Sequence, residues 1–427
     1  MVVKVKLWGD LVGLCSIDEN NNCAFQYEDS FIKKGICPAP IHMPLTPEVY
    51  QFNSLSEDTF KGLPGMLADS LPDKWGDSVL NQWAEVNGVG DINAVQKLSY
   101  IGSRGMGALE FEPVINPNKM NESITLDIAE LVKVASDVIN HRKNFKSTID
   151  EIESIVSVSS SAGGARAKAV IALSEDTNEV RSGQVDAPEG FSHWLLKFDG
   201  VTNKILGDPE EYGKIEFCYH KMAKDAGIEM TNCRLLEENG RFHFMTKRFD
   251  RVGNEKLHMQ TLCAIAHMDY NKPRTYSYED AFRIMNGLNL TYQDKEQLFR
   301  RAAFNVFSCN NDDHTKNISF LMNKSGAWRL SPAYDLAYSY NANSRMVSSH
   351  QMTINGKSKD ISVDDLQTLA KKVGIKNSQT ILLEVKNGVG HWKKYAEELK
   401  ISTERIKKID SKIQESYIKS RGRGMSM

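Results

Sequence analysis

Nowhere in the 427 residues is there an apolar run long enough to span a bilayer. The opening residues, Met1-Val2-Val3-Lys4-Val5-Lys6, alternate like a strand and lack the apolar core of a secretory leader. The seven cysteines, at 15, 23, 37, 218, 233, 263 and 309, form no CxxC pair. An odd count without a leader fits a reducing compartment, so the expectation is a cytoplasmic protein with no membrane contact. An excess of one charge sign is also missing. The formal net charge is −2 and the pI about 6.6, so nothing global demands nucleic acid. With 41% hydrophobic and 25% charged residues, disorder is excluded. A chain of 48.0 kDa is too long for one small core and predicts two or three subdomains.

The first region, 1–115, reads as a small β-rich subdomain. Val3, Val5 and Leu7 alternate with Lys4 and Lys6, Gly9-Asp10 marks a turn, and Cys23 to Tyr27 continues the sheet. Pro38, Pro40, Pro44 and Pro47 impose a loop, and Asp77 to Asn87 reads as a helix. The glycine-rich Gly102–Gly107 runs into Glu112-Pro113, which leaves no room for a long following helix. A structural turn is expected there, against the alternative of a dinucleotide fingerprint.

The second region, 116–256, is mixed α/β. Ile124, Ile128, Leu131, Ala135 and Val138 give Asn121 to Asn140 one buried stripe, and the charged residues 141 to 152 form a connector. A loop with paired glycines, Ser157 to Lys168, precedes the strand Ala169 to Leu173. Its backbone N–H groups suit an anion, although a serine-rich linker has the same composition. Lys197, in the strand His193 to Phe198, calls for a partner, either phosphate or an acid such as Glu216 on the next helix, unless it lies on an edge strand in solvent. Cys233–Leu236 and Arg241–Phe249 read as a hairpin with Glu237-Glu238-Asn239-Gly240 as its turn.

The third region, 257–427, is expected to be all-helical, with helices at Leu257–His267, Glu279–Met285, Gln297–Phe307, Val363–Lys372, Thr380–Val385, His391–Leu399 and Thr403–Tyr417. Ser362 and Asp365 form a capping box. The basic end, Lys419 to Gly424, reads as a solvated tail.

Chemistry concentrates in Phe304 to Asp335. Asn310-Asn311-Asp312-Asp313-His314-Thr315-Lys316-Asn317 is a polar turn between an apolar helical run and the strand-like run Ile318 to Met322. Asn317 lies five residues after Asp312, and Asp335 follows at the end of a second strand-like piece. This is the layout of a protein-kinase catalytic loop followed by a metal aspartate. The first Asp orients an attacking hydroxyl and takes its proton, while the Asn and the second Asp offer hard oxygens to Mg²⁺. The same residues also compose an ordinary capped polar loop. The order Gly loop, strand Lys, helix Glu, Asp312, Asn317, Asp335 is far more specific than any member alone.

The chain resembles the HipA toxin-kinase family, serine/threonine protein kinases of bacterial toxin–antitoxin modules. The resemblance is carried by LWGDLVG near the start, SYIGSRGMGALEFEP at 99–113, SSAGGARAKA at 160–169, HWLLKFDG at 193–200, MTKRFDR at 245–251, NNDDHTKN at 310–317 and LSPAYDLAYS at 330–339. It implies an α+β, two-lobed, protein-kinase-like fold that binds ATP and Mg²⁺ in the cytoplasm. Asp312 takes the catalytic-base position, Lys197 the phosphate lysine, and Asn317 and Asp335 the metal ligands. Gly163, Gly164, Ala165, Arg166 and Lys168 fall on the phosphate loop, Lys247, Arg248 and Phe249 on the adenine-side connector, and His314 and Lys316 in the ATP-contacting loop. Ser161 matches the family's autophosphorylated serine, with Ser159 and Ser160 as alternatives. The implied partners are a small helix-turn-helix antitoxin, through which alone DNA is contacted, and a protein substrate such as an aminoacyl-tRNA synthetase. Arg166-Ala167-Lys168 stands where the family often carries Gln-Glu-Lys, and Lys247-Arg248 where it often carries Glu-Arg, so loop and adenine contacts are expected to differ while phosphoryl transfer is kept. A silenced kinase acting as antitoxin-bound co-repressor and a small-molecule kinase are the alternative functions.

Overall fold

Strand β1 (Val2–Leu7) buries Val3, Val5 and Leu7 completely while its lysines face outward, as the period of two requires. It pairs antiparallel with β2 (Asp10–Ile17) through Trp8-Gly9, both at positive φ, the conformation that a two-residue hairpin demands. With β3 (Cys23–Tyr27), β4 (Val49–Tyr50) and β5 (Leu109–Glu112) they form a sheet of order β4-β3-β2-β1-β5. The computed structural model describes residues 1–19, 22–115, 123, 125–139, 149–159, 166–201 and 211–419.

The chain divides into two units. The first comprises 1–213, 232–260 and 321–327, and the second 214–231, 261–320 and 328–427. The first unit holds a second antiparallel sheet of β6 (Lys168–Ser174), β7 (Val180–Ser182), β8 (Phe191–Lys197), β9 (Cys233–Glu238) and β10 (Arg241–Lys247), in the order β7-β6-β8-β10-β9. The β9–β10 turn is Asn239-Gly240, again both at positive φ. Helices Lys74–Val86, Ile128–Ile139 and Ile149–Val156 share one apolar core with this sheet. Trp75, Trp83, Leu131 and Ala135 meet Ala169, Ile171 and Leu196 there. Each fully buried large apolar side chain contributes about 1.5–3 kcal/mol.

The second unit is built on helix Tyr292–Ser308, in which Leu298, Phe299, Ala302, Ala303 and Phe304 are all fully buried. Further helices are Tyr278–Gly287, Val363–Val373, Ser378–Val389, Trp392–Glu398 and Thr403–Lys419, close to the ranges that periodicity predicts, while helix Tyr212–Asp225 has its residues 214–225 in this unit. The Ser362–Asp365 capping box is present, and Ser277–Asp280 and Thr291–Asp294 repeat it.

Two expectations are corrected. Residues 257–427 are not all-helical: the strand-like runs beside the polar turn are the strands Ser319–Met322 and Trp328–Leu330, which flank a turn closed on the Asn323 side chain. Leu257–His267 is not one helix either, but strand His258–Thr261 followed by the single turn Leu262–Ile265, capped by Thr261. His258 and Gln260 both bond the Pro38 carbonyl. Residues two apart share a face in a strand and diverge in a helix, so that shared acceptor favours the strand.

Candidate functional site

Helix Tyr292–Ser308 ends at Cys309 in the left-handed conformation, which releases the chain into the polar loop 310–317. The loop closes with a single 3-10 turn, Thr315–Asn317, and Thr315 Oγ1 donates to the Met268 carbonyl at 2.7 Å. Its anchor is Asp313, which is buried. The Asp313 carboxylate accepts from Tyr278 Oη at 3.0 Å, from His350 Nδ1 at 3.0 Å and from the Gln351 backbone N–H at 2.7 Å. Asn305 Nδ2 donates to Tyr278 Oη, and Asn310 Nδ2 to Asn305 Oδ1, both at 2.9 Å. A buried network with its members paired holds the loop in one geometry.

Asp312, beside this anchor, is different. Its side chain keeps 41% of its surface exposed, with His314 Nε2 3.9 Å from Oδ1. Gln351 Nε2 donates to the same oxygen at 2.5 Å. Desolvation raises its pKa, and the charges of Asp335 and Asp313 add to that, against the lowering by His314 and by the Gln351 hydrogen bond. A partly exposed carboxylate of raised basicity suits proton abstraction.

Asn317 Nδ2 donates to the Asp312 backbone carbonyl at 2.8 Å, which fixes which end of the amide is spent. Its Oδ1 and the Asp335 carboxylate are hard oxygen donors of the kind Mg²⁺ takes from protein. Asp335 sits at φ 55°, a left-handed turn after Ser331-Pro332. Asp313, His314, Asn317 and Asp335 border a cavity of about 20 Å³, room for a small ion or a water. The donor set therefore fits magnesium. Lys316 Nζ lies 4.9 Å from the Tyr270 ring centroid, and its carbonyl accepts from Tyr334 Oη at 2.6 Å.

In the first unit, Lys197 lies on β8, the central strand of its sheet and not an edge. It is half-buried, opposite Lys168 on β6 and Phe244 on β10, with Nζ 5.8 Å from the Phe244 ring centroid. Lys168 is buried and forms an ion pair with Asp73, which also caps helix Lys74–Val86 by accepting from Gly76 N–H at 2.7 Å. Arg166 stacks 3.6 Å above the Tyr212 ring. Lys247 and Phe249 are half-buried at and just past the end of β10, while Arg248 is buried against Asp250. Ser159 follows the helix Ile149–Val156, its Oγ donating to the Ile155 carbonyl at 2.6 Å. Ser160, Ser161, Gly163, Gly164 and Ala165 lie outside the described residues.

Gly102–Gly107 serves as a turn. Gly107 N–H donates to Asp250 at 2.7 Å, and the Gly105 and Gly107 carbonyls accept from Arg251 at 3.1 and 2.9 Å. A cavity of about 570 Å³ in this unit is bordered by Trp8, His193, Arg251, Asn254 and Lys256 and by none of the sequence-predicted site residues. Its cations are committed, Arg251 to Asp250 and Lys256 to Glu110.

Asp73, Asp250, Asp313, His350 and Gln351 are absent from the sequence-derived site. No local spacing marks Asp73, Asp313, His350 and Gln351, since each acts through a partner distant in sequence, while Asp250 is held by its neighbours Arg248 and Arg251 and by the distant Gly107 N–H.

A mixed α/β chain, with two five-stranded sheets in one unit and a mainly helical second unit, is the class that fold and site define. Residues 160–417 match the HipA-like C-terminal domain, and residues 3–112 the HipA N-terminal domain. The chain belongs to the HipA family. The toxin–antitoxin complex of HipA, HipB and operator DNA from Shewanella oneidensis MR-1 contains a chain 16% identical to this one, with a TM-score of 0.68 over 98% of this chain and 96% of that one. That likeness is one of fold. A Haemophilus influenzae protein named "Putative kinase" is 31% identical over 160 residues, 32% of this chain. The match spans 46% of that protein, less than half its length. Among the described residues, no helix is long and apolar enough to cross a membrane.

Proposed function

We propose that the protein is an ATP- and Mg²⁺-dependent serine/threonine protein kinase of protein-kinase-like fold, and the toxin of a toxin–antitoxin pair. One observation carries this reading: Asn317 is pinned to the Asp312 carbonyl while Asp312 keeps an accessible carboxylate under the charge of Asp335. Membership of the HipA family supports it.

In this reading Asp312 accepts a hydrogen bond from the acceptor hydroxyl, orients it and takes its proton. Asn317 Oδ1 and Asp335 hold magnesium, which supplies positive charge to the phosphates when bound. Lys197 neutralises phosphate charge, and Arg166, Lys247, Phe249, His314 and Lys316 bind the nucleotide. Ser161, or Ser159 or Ser160, receives phosphate in autophosphorylation. A phosphate there adds about −1.5 to −2 charge to a loop suited to anions, and this silences it. The partner is a HipB-like antitoxin, through which DNA is reached, and the substrate is a translation-related protein. The Shewanella relative's complex supports the antitoxin assignment.

The test is incubation of the purified protein with labelled ATP and Mg²⁺, with and without cell lysate, followed by mass spectrometry. Label on the serine run or on a lysate protein is expected. Label on small metabolites alone would overturn the protein-kinase reading.

A further inference from the structure

Gln351 lies 39 residues beyond Asp312, in a segment with no sequence signature for catalysis. It is 3% exposed and held at three points. Its backbone N–H donates to Asp313 Oδ1 at 2.7 Å, its carbonyl accepts from Arg274 N–H at 2.6 Å, and its side-chain Nε2 donates to Asp312 Oδ1 at 2.5 Å. The adjacent His350 Nδ1 bonds Asp313 Oδ2 at 3.0 Å. One short segment thus grips both aspartates of the loop, Asp313 through main chain and imidazole and Asp312 through an amide.

The direction of the amide is fixed by chemistry. An ionised carboxylate only accepts, so the Nε2 end must face Asp312. We propose that Gln351 is a positioning residue for Asp312: it occupies Oδ1, fixes the carboxylate rotation, and leaves Oδ2 to meet the acceptor hydroxyl. This rests on the kinase reading of Asp312. Such positioning matters because a displacement of about 1 Å at a reacting group costs as much as 10²-fold in rate. A charge-assisted hydrogen bond from a buried, triply held donor resists that displacement.

The Asp313 contact from residue 351 is a backbone one, so it survives side-chain replacement. In Gln351→Leu, kcat should fall about 10–100-fold with the KM for ATP within about twofold. Gln351→Met, which nearly keeps the volume and loses the donor, should do the same. In an Asp312→Asn background, Gln351→Leu should cost less than about twofold more, because the group it positions is already disabled. In the protein without nucleotide or metal, the melting-temperature losses of Gln351→Leu and of Asp312→Ala, which removes the acceptor, should together exceed that of their double variant by about 3 °C. Equal rate factors in both backgrounds, together with additive melting shifts, would overturn the inference. If wild type transferred no phosphate at all, the kinase reading would fall, and the melting cycle would still decide whether Gln351 holds Asp312.

Discussion

Asn317 Nδ2 donates to the backbone carbonyl of Asp312 at 2.8 Å, so the two ends of the five-residue spacing are joined by a hydrogen bond as well as by sequence. The bond spends the amide nitrogen of Asn317, and Oδ1 is the end that would meet magnesium in the proposed kinase. Asn317→Ala should raise the Mg²⁺ concentration needed for half-maximal phosphoryl transfer by about 10–100-fold. A magnesium titration of the labelled-ATP reaction checks this, and an unchanged requirement would remove Asn317 from the metal site.

Asp250 is buried between Arg248 and Arg251 and accepts the Gly107 N–H. Burial alone would raise its pKa. The charges of the two arginines, with the hydrogen bonds from Arg248 and Gly107, outweigh burial and hold it well below the usual carboxylate range. A depressed folded-state pKa gives stability that is present above the unfolded value and lost as pH falls through the folded one. Asp250→Asn should therefore destabilise the protein at neutral pH by about 3–5 kcal/mol, with the gap to wild type narrowing below about pH 4. Denaturant unfolding at pH 7 and pH 3 measures it.

Lys168 and Asp73 form a buried pair 95 residues apart in sequence. Removing one partner breaks a buried ion pair. Lys168→Met or Asp73→Leu alone should cost about 3–5 kcal/mol, whereas the double variant should recover much of that loss, less about 1 kcal/mol for the helix cap. Unfolding curves of the three variants test the coupling.

His258 is fully buried, and burial pushes its pKa down to about 4, against the partial support of the Pro38 carbonyl. The unfolded chain takes up a proton near the ordinary value of about 6.5, so wild type should lose stability as pH falls from about 6.5 to 4. His258→Asn should flatten that part of the pH–stability curve, as read by melting temperature across the range.

How far these features are legible in the sequence depends on how local they are. The Asn239-Gly240 hairpin, the Ser362 capping box and the stripe Leu131, Ala135, Val138 depend on near neighbours, and periodicity and turn chemistry reveal them. Asp312, Asn317 and Asp335 stand out because residue types and spacing within one loop and one strand end encode them. Asp73, Gln351 and the Gly107–Asp250 bond unite segments far apart in the chain, which no local pattern reports. The strand at His258–Thr261 escapes periodicity for the same reason, since it answers to an acceptor at Pro38.

The most direct measurement is single-turnover phosphoryl transfer from labelled ATP with Mg²⁺, comparing wild type with Asp312→Asn. A loss of about 10²–10⁴-fold in rate is expected, with ATP affinity little changed. Transfer by Asp312→Asn at the wild-type rate would contradict the assignment of Asp312 as the base.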